Sequence, residues 1–243
     1  MRASALLVVI FLTGLASGQS TQVVPVVDRS EIEPTLQFSG TVSISEQFIG
    51  NELNSECARQ VSGRNISQKP IVALVLTFEA RGKHSWCAGE TGTIEHFWSE
   101  KRMEPEQVIP IWEEIQPDGR TFQPHADPLQ PPSEPKAEIR LVFVQFADGS
   151  IRGDEQAAKN LFDTRNSALT QLQHLNQTYL HYGVKAFSDE LAGVRQDSYP
   201  VPMIQRIAQT RGSEAAIAKV RYYLGIAHEN SLLLHVPQTG EQP

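Results

Sequence analysis

Two hydrophobic periods divide this chain. Over residues 36–153 apolar positions tend to recur every second residue, and from Asp154 onward every third or fourth. In the segment 36–45, Leu36, Phe38, Val42 and Ile44 fall on one side and polar residues on the other, which predicts a half-buried strand. Residues 71–78 are apolar on both faces. That run fits a central strand or a short buried helix. Its length, its β-branched residues and the turn-forming stretch 65–70 before it favour the strand. Weaker strands are expected over 93–98 and 107–115, and Pro110 marks the latter as an edge or a bulge. Residues 137–147 form the second strong strand. Ile139, Leu141, Phe143 and Gln145 share one of its faces, and Val142, Val144 and Phe146 the other. Arg81-Gly82-Lys83, 117–120 and Asp148-Gly149 read as turns, with Ile151 starting back after the last of these.

After Gly153 the period lengthens. Asp154 is placed to cap a helix over 154–180, with Glu155 in its first turn. Leu161, Ala168, Leu172, Leu175 and Tyr179 form one apolar stripe along it. Gly183-Val184 suits a left-handed stop. A short helix follows over 188–195. Pro202 then opens a helix that ends at Gly212, and Ser213 caps another that carries Ala216, Val220 and Tyr223 inward and stops at Gly225-Ile226.

These elements predict an α+β protein: an antiparallel Ig-like β-sandwich over 36–153, followed by a helical region over 154–236 that packs on the sheet or forms a small bundle. Residues 19–35 read as a flexible N-terminal segment and 237–243 as a disordered tail. The stretch 123–136 holds Pro124, Pro128, Pro131, Pro132 and Pro135, which favour extended backbone without ladder donors. It reads as a loop within the sandwich, the alternatives being a linker or a docking motif for a partner. An Asn-x-Ser-x-Lys-Pro turn at 65–70 running into the apolar strand 71–78 resembles the small Ig-like or FxLYD-type β-sandwich modules of exported bacterial proteins. The resemblance implies a noncatalytic sandwich and supplies no catalytic residues.

The first 18 residues change the picture from fold to compartment. Arg2, an apolar run over 5–12 and Ala16-Ser17-Gly18 before Gln19 make the three-part pattern of a cleaved signal peptide, too short for a spanning helix. The expected product is secreted or periplasmic, without a lipid-anchoring cysteine and without a later membrane span. The whole chain carries 21 basic and 28 acidic residues, a net charge of −7. Cleavage removes Arg2 and leaves 20 against 28, or −8. The charge is uneven: 12 basic and 19 acidic residues over 19–153, but 8 of each over 154–230. An acidic front and a neutral back argue against nucleic acid or anionic lipid as a partner. In an exported chain the two cysteines, Cys57 and Cys87, invite a disulfide that closes a loop of about 30 residues, worth roughly 3–4 kcal/mol by chain entropy. Two buried thiols or a reactive thiol are the competing readings.

Candidate chemistry is sparse. Gly-x-Ser-x-Gly, phosphate-loop, dinucleotide and His-Glu-x-x-His patterns are all missing, and nothing calls for a cofactor. His84 and Cys87, with His96 beyond Glu95, are a thin metal-site candidate; Trp86 packing near a disulfide is the plainer reading. His174 and His181 stand two helical turns apart, too far to share one ion without other ligands. Asp148, Asp154 and Glu155 crowd a strand-to-helix junction, where turn and cap duty accounts for them better than calcium. Asn65-Ile66-Ser67 and Asn176-Gln177-Thr178 match the glycosylation sequon. The expected function is therefore an exported, noncatalytic binding or envelope-assembly protein, acting on another envelope or extracellular protein. The alternatives are an envelope hydrolase with a site between sheet and helices, and a small-ligand or metal-binding protein.

Overall fold

The computed structural model describes residues 19–49, 52–113, 125–126, 134–194 and 199–235. Residues 1–18, where a leader was expected, the expected turn over 117–120, most of the Pro-rich stretch and residues 237–243 lie outside the described residues. The strands are β1 (Gln19–Asp28), β2 (Leu36–Ile49), β3 (Glu52–Asn65), β4 (Ile71–Arg81), β5 (Ser85–Glu95), β6 (Val108–Glu113), β7 (His125–Ala126), β8 (Lys136–Phe146) and β9 (Ile151–Gly153). The helices are α1 (Glu155–Gly193), α2 (Val201–Arg211) and α3 (Ser213–Glu229), followed by a 3-10 turn over Ser231–Leu234.

The strands do not form an Ig-like sandwich. They join one mixed sheet in the order β6-β3-β2-β1-β8-β4-β5-β7, with β9 paired to β8. The sheet curls until β3, near one end, meets β5 and β7 at the other, giving a nearly closed barrel. The strand that defeats the sandwich is β1, which lies where a flexible segment was expected. Its first part pairs antiparallel with β2, and Val26–Asp28 pair in parallel with Ala137–Ile139 of β8. Val24 and Val26 pack against the barrel core, whereas Val23 and Val27 are exposed. Pro25 ends the ladder to β2, a position where a missing N–H is tolerated. β1 thus joins two groups of strands that a sandwich would leave as separate sheets.

Alternation along β2 and β4 fills the barrel with Val42, Ile44, Leu74, Leu76, Phe78 and Ala80. The other face of β4 sends Ala73 and Val75 toward α1 and Val72 into the helical core, so one strand serves three cores. β6 is an edge strand with a register break between its partners Val61 and Ser62, as Pro110 led us to expect.

The face assignment of β8 is corrected by a bulge. Leu76 pairs with Leu141 and Val75 with Phe143, leaving Val142 as an extra residue. Ile139 and Leu141 face the barrel before the bulge, and Val144 and Phe146 after it. Phe143 and Gln145 turn out toward α1 and the 3-10 turn. The Val142 carbonyl accepts the Asp154 amide at 2.9 Å, and Asp154 Oδ1 in turn accepts the Ala157 amide at 2.7 Å. The bulge therefore fixes where α1 starts.

α1 lays Ala158, Leu161 and Phe162 on the sheet. Beyond that, Ala168, Leu172 and Leu175 pack with α2 and α3 around Phe187, Ile204, Val220 and Tyr223. The helical region both covers the sheet and forms a bundle. Gly183, at φ 80° and ψ −172°, interrupts α1 where a stop was expected. Gly225 does not stop α3. Buried Ile226 and Ala227 carry the helix past it, tertiary packing overriding the local glycine cost. β5 ends at Glu95, so Phe97 and Trp98 lie in the turn beyond it rather than in a strand over 93–98.

Gly153 sits at φ 106°, and a Cβ there would collide with the Val142 carbonyl oxygen. Gly153→Ala is expected to cost at least about 2 kcal/mol, since it combines a strained backbone with displacement of the bulge. Urea denaturation measures the loss.

Candidate functional site

The apolar stripe of α1 skips from Leu161 to Ala168, a spacing of seven. The residue filling it, four after Leu161, is Arg165, which points inward with its neighbours and is 1% exposed. Its Nε and Nη2 each donate to one carboxylate oxygen of Glu95, both at 2.9 Å. Its Nη1 donates to Gln145 Oε1 at 2.6 Å and to the Leu233 carbonyl at 2.7 Å. The guanidinium also lies over the rings of Phe97, 4.7 Å from the centroid, and Phe162, 5.6 Å away. Glu95 Oε1 further accepts the Phe97 amide at 2.8 Å. The β8 bulge delivers Gln145 to this face, and Gln145 Nε2 reaches the Leu233 carbonyl at 3.3 Å. A charged residue inside an apolar stripe was the one signal in the sequence for this centre.

Beside the Arg165–Glu95 pair a cleft of about 550 Å³ opens between the outer sheet face and the first turns of α1. Its sheet wall is a patch of hydroxyls: Thr77 pairs with Thr91 across β4 and β5, and Thr93 is next along β5. Among the described residues none of these three hydroxyls has a hydrogen-bond partner. The helix wall presents Gln156, Ala157, Asn160, Leu161 and Thr164. Gln156 Nε2 donates to Asn160 Oδ1 at 2.8 Å, and the Thr164 hydroxyl donates to the Asn160 carbonyl. Trp98 and Tyr199 also line the cleft. The Tyr199 hydroxyl shares a 2.9 Å hydrogen bond with that of Tyr223, which holds its half-exposed ring in place. Burial, reinforced by that bond, pushes the Tyr223 phenol above its ordinary range. The cleft carboxylates are both engaged, Glu95 by Arg165 and Asp154 by the helix start. Histidine is not among the lining residues.

His84 and His96 flank opposite ends of β5, whose length separates them by roughly 35 Å. The His84 amide donates to buried Glu46, and its ring packs edge-on against Phe48. His96 Nε2 is buried without a partner among the described residues, and burial lowers its pKa, opposed by Glu95 and reinforced by Arg102 and Lys101. Cys57 is buried in β3, pointing into the barrel; Cys87 is on β5, and its side chain lies outside the described residues. Among the described residues no cluster of three His, Cys, Asp or Glu groups could hold a metal ion. His174 bonds Glu190 at 3.0 Å, and the ring of His181 lies beside that of Tyr182. Asn65 is fully buried, donating to the Lys69 and Met103 carbonyls, so its sequon is closed in the folded protein. Asn176 buries its Oδ1 on α1 without a partner among the described residues.

Asp154 caps α1, and Asp148 forms the turn. Burial pushes the Asp148 carboxyl up, but the Lys69 ammonium at 2.6 Å and hydrogen bonds from Ser150 outweigh it and bring its pKa down to about 2.

No protein family matches the chain, and no curated protein or solved structure is significantly similar to it. No helix among the described residues is long and apolar enough to cross a membrane.

Two outcomes follow from these geometries. Arg165→Ala strands Glu95 and Gln145 without their partner and is expected to cost about 3–5 kcal/mol in urea unfolding. Asp148 has a folded-state pKa below its ordinary 3.8, so its ionised form stabilises the fold above that value, and the contribution fades as pH falls toward 2. Urea midpoints of Asp148→Asn should therefore fall less steeply than those of the wild type between about pH 4 and pH 2.

Proposed function

We propose that the protein is an exported, noncatalytic binding protein whose ligand occupies the cleft between the sheet and α1. The observation that carries this reading is the state of the cleft's polar groups. Its two carboxylates are committed to an ion pair and a helix cap, whereas the hydroxyls of Thr77, Thr91 and Thr93 on its sheet wall have no partner among the described residues. A hydrolase between sheet and helices would want a carboxylate or imidazole free to move a proton, and the groups at hand serve the fold instead. Such a preformed concave site with a few convergent polar groups suits recognition. The N-terminal leader pattern supports export. A Cys57–Cys87 disulfide belongs to the same proposal. It is supported by the inward position of Cys57, by the approach of β3 to β5 and by the lack of a free cysteine among the described residues.

The test is retention and turnover by the full mature chain. Immobilised protein is exposed to extracellular fluid or envelope extract, and retained compounds are identified by mass spectrometry. Thr93→Trp, an exposed strand position where an aromatic ring is tolerated, fills the cleft and is expected to abolish retention with an unchanged urea midpoint. Steady hydrolysis of a model ester, glycoside or peptide that disappears in Asp154→Asn would overturn the noncatalytic reading.

A further inference from the structure

The cleft does not end at α1. Thr77 and Thr91 also line a second depression of about 290 Å³ on the same outer face, reaching Gly89, Ile139 and Arg140. Together the two make a groove that follows β5 from Glu95 to Gly89, roughly 20 Å of strand. Most of the charged groups along it are matched within the protein. Arg165 holds Glu95, Arg29 lies 3.3 Å from Glu138, and Lys136 lies 2.7 Å from Glu79. Arg140 is 3.8 Å from Glu31. Little net charge remains for an ionic ligand. What remains is a row of hydroxyls without a partner among the described residues on one wall, amides on the other, and an aromatic ring beside them. Each hydroxyl both donates and accepts, and each threonine sets a methyl beside it. The Tyr199 ring, pinned through its hydroxyl to Tyr223, offers a flat apolar face next to these groups.

We propose, on the reading that this cleft is a binding site, that its ligand is a neutral saccharide chain. A sugar presents alternating hydroxyl edges and C–H faces, and carries no charge that would need a counterion. The hydroxyl edges meet Thr77, Thr91, Thr93 and Asn160, and a C–H face stacks on Tyr199. The length of the groove selects an oligomer over a monosaccharide.

The experiment uses the full mature chain, with cellohexaose, maltohexaose and chitohexaose as neutral probes. Dextran sulfate and an uncharged unstructured peptide serve as counter-probes. Binding is read by calorimetry and by tryptophan fluorescence, since Trp98 lines the cleft. At least one neutral hexamer is expected to bind. The double variant Thr91→Val/Thr93→Val keeps shape and strand propensity while removing two hydroxyls, and should weaken that binding about tenfold with an unchanged urea midpoint. Tyr199→Phe should retain most of the affinity and Tyr199→Ala should lose it. Failure of every neutral saccharide to bind overturns the inference. Binding of the polyanion or the peptide alone, weakened by the valine pair, overturns it while leaving the cleft a binding site. Saccharide binding that the valine pair leaves untouched overturns both the inference and the placement of the site.

Discussion

The guanidinium of Arg165 is a point at which separate parts of the chain converge. It lies on α1 and bonds the end of β5 through Glu95, β8 through Gln145, and the 3-10 turn through the Leu233 carbonyl. Placing a charge there carries a large desolvation cost. The cost is met by a bidentate carboxylate, two neutral acceptors and two aromatic faces, and the arrangement fits only one docking of the helices on the sheet. Apolar packing alone constrains α1 weakly, because Ala158, Leu161 and Phe162 meet a sheet face of Ala73, Val75 and Phe143 with one edge-to-face ring pair, Phe143–Phe162, as a directional contact. The Arg165 network supplies direction. Asn230 adds to it nearby, donating to the Phe97 carbonyl while accepting from Arg102.

The sheet reaches this arrangement through one irregularity. Without the bulge at Val142, strict alternation would send Gln145 into the barrel with Ile139 and Leu141, where an amide has no partner. With it, Val144 and Phe146 fill the barrel and Gln145 meets Arg165. The same extra residue exposes the carbonyl that receives Asp154. One inserted residue thus sets both the start of α1 and the partner of its buried arginine.

That explains which features were legible in the sequence. The strands that begin at Leu36, Ile71 and Lys136, the cap at Asp154, the break at Gly183 and Pro202 near the start of α2 are local signals, and each lies at or within a residue of its expected place, whereas β1 and β3 went unread. The architecture is not local. β1 pairs with β8 across more than a hundred residues, and nothing between Gln19 and Asp28 announces a parallel partner. A bulge is invisible to period-2 counting, because it only swaps which residues share a face. Gly225 carries a stop signal that the burial of Ile226 and Ala227 overrides. The site was half legible. A place between sheet and helices followed only for the alternative reading of a hydrolase, from amphipathic helices needing a surface to cover. Its hydroxyl row did not, since Thr77 and Thr91 are distant in sequence and look like ordinary strand residues until the β4–β5 register pairs them.

The chemistry of the cleft then follows from the demands of the fold. Arg165 must be neutralised to be buried, and Glu95 does so from the cleft's own wall. α1 needs a cap where it leaves the bulge, and Asp154 supplies it from the cleft's rim. Docking the helix therefore engages both carboxylates of the cleft lining. What remains facing solvent is uncharged and fixed on rigid elements: hydroxyls on a paired β ladder, amides on the first turns of a capped helix, and a tyrosine held by another tyrosine. Groups fixed in this way lose little freedom when a ligand arrives, so weak individual hydrogen bonds can add to a specific fit. The interaction that holds the helices to the sheet thus also sets which polar groups of the cleft are already engaged within the protein.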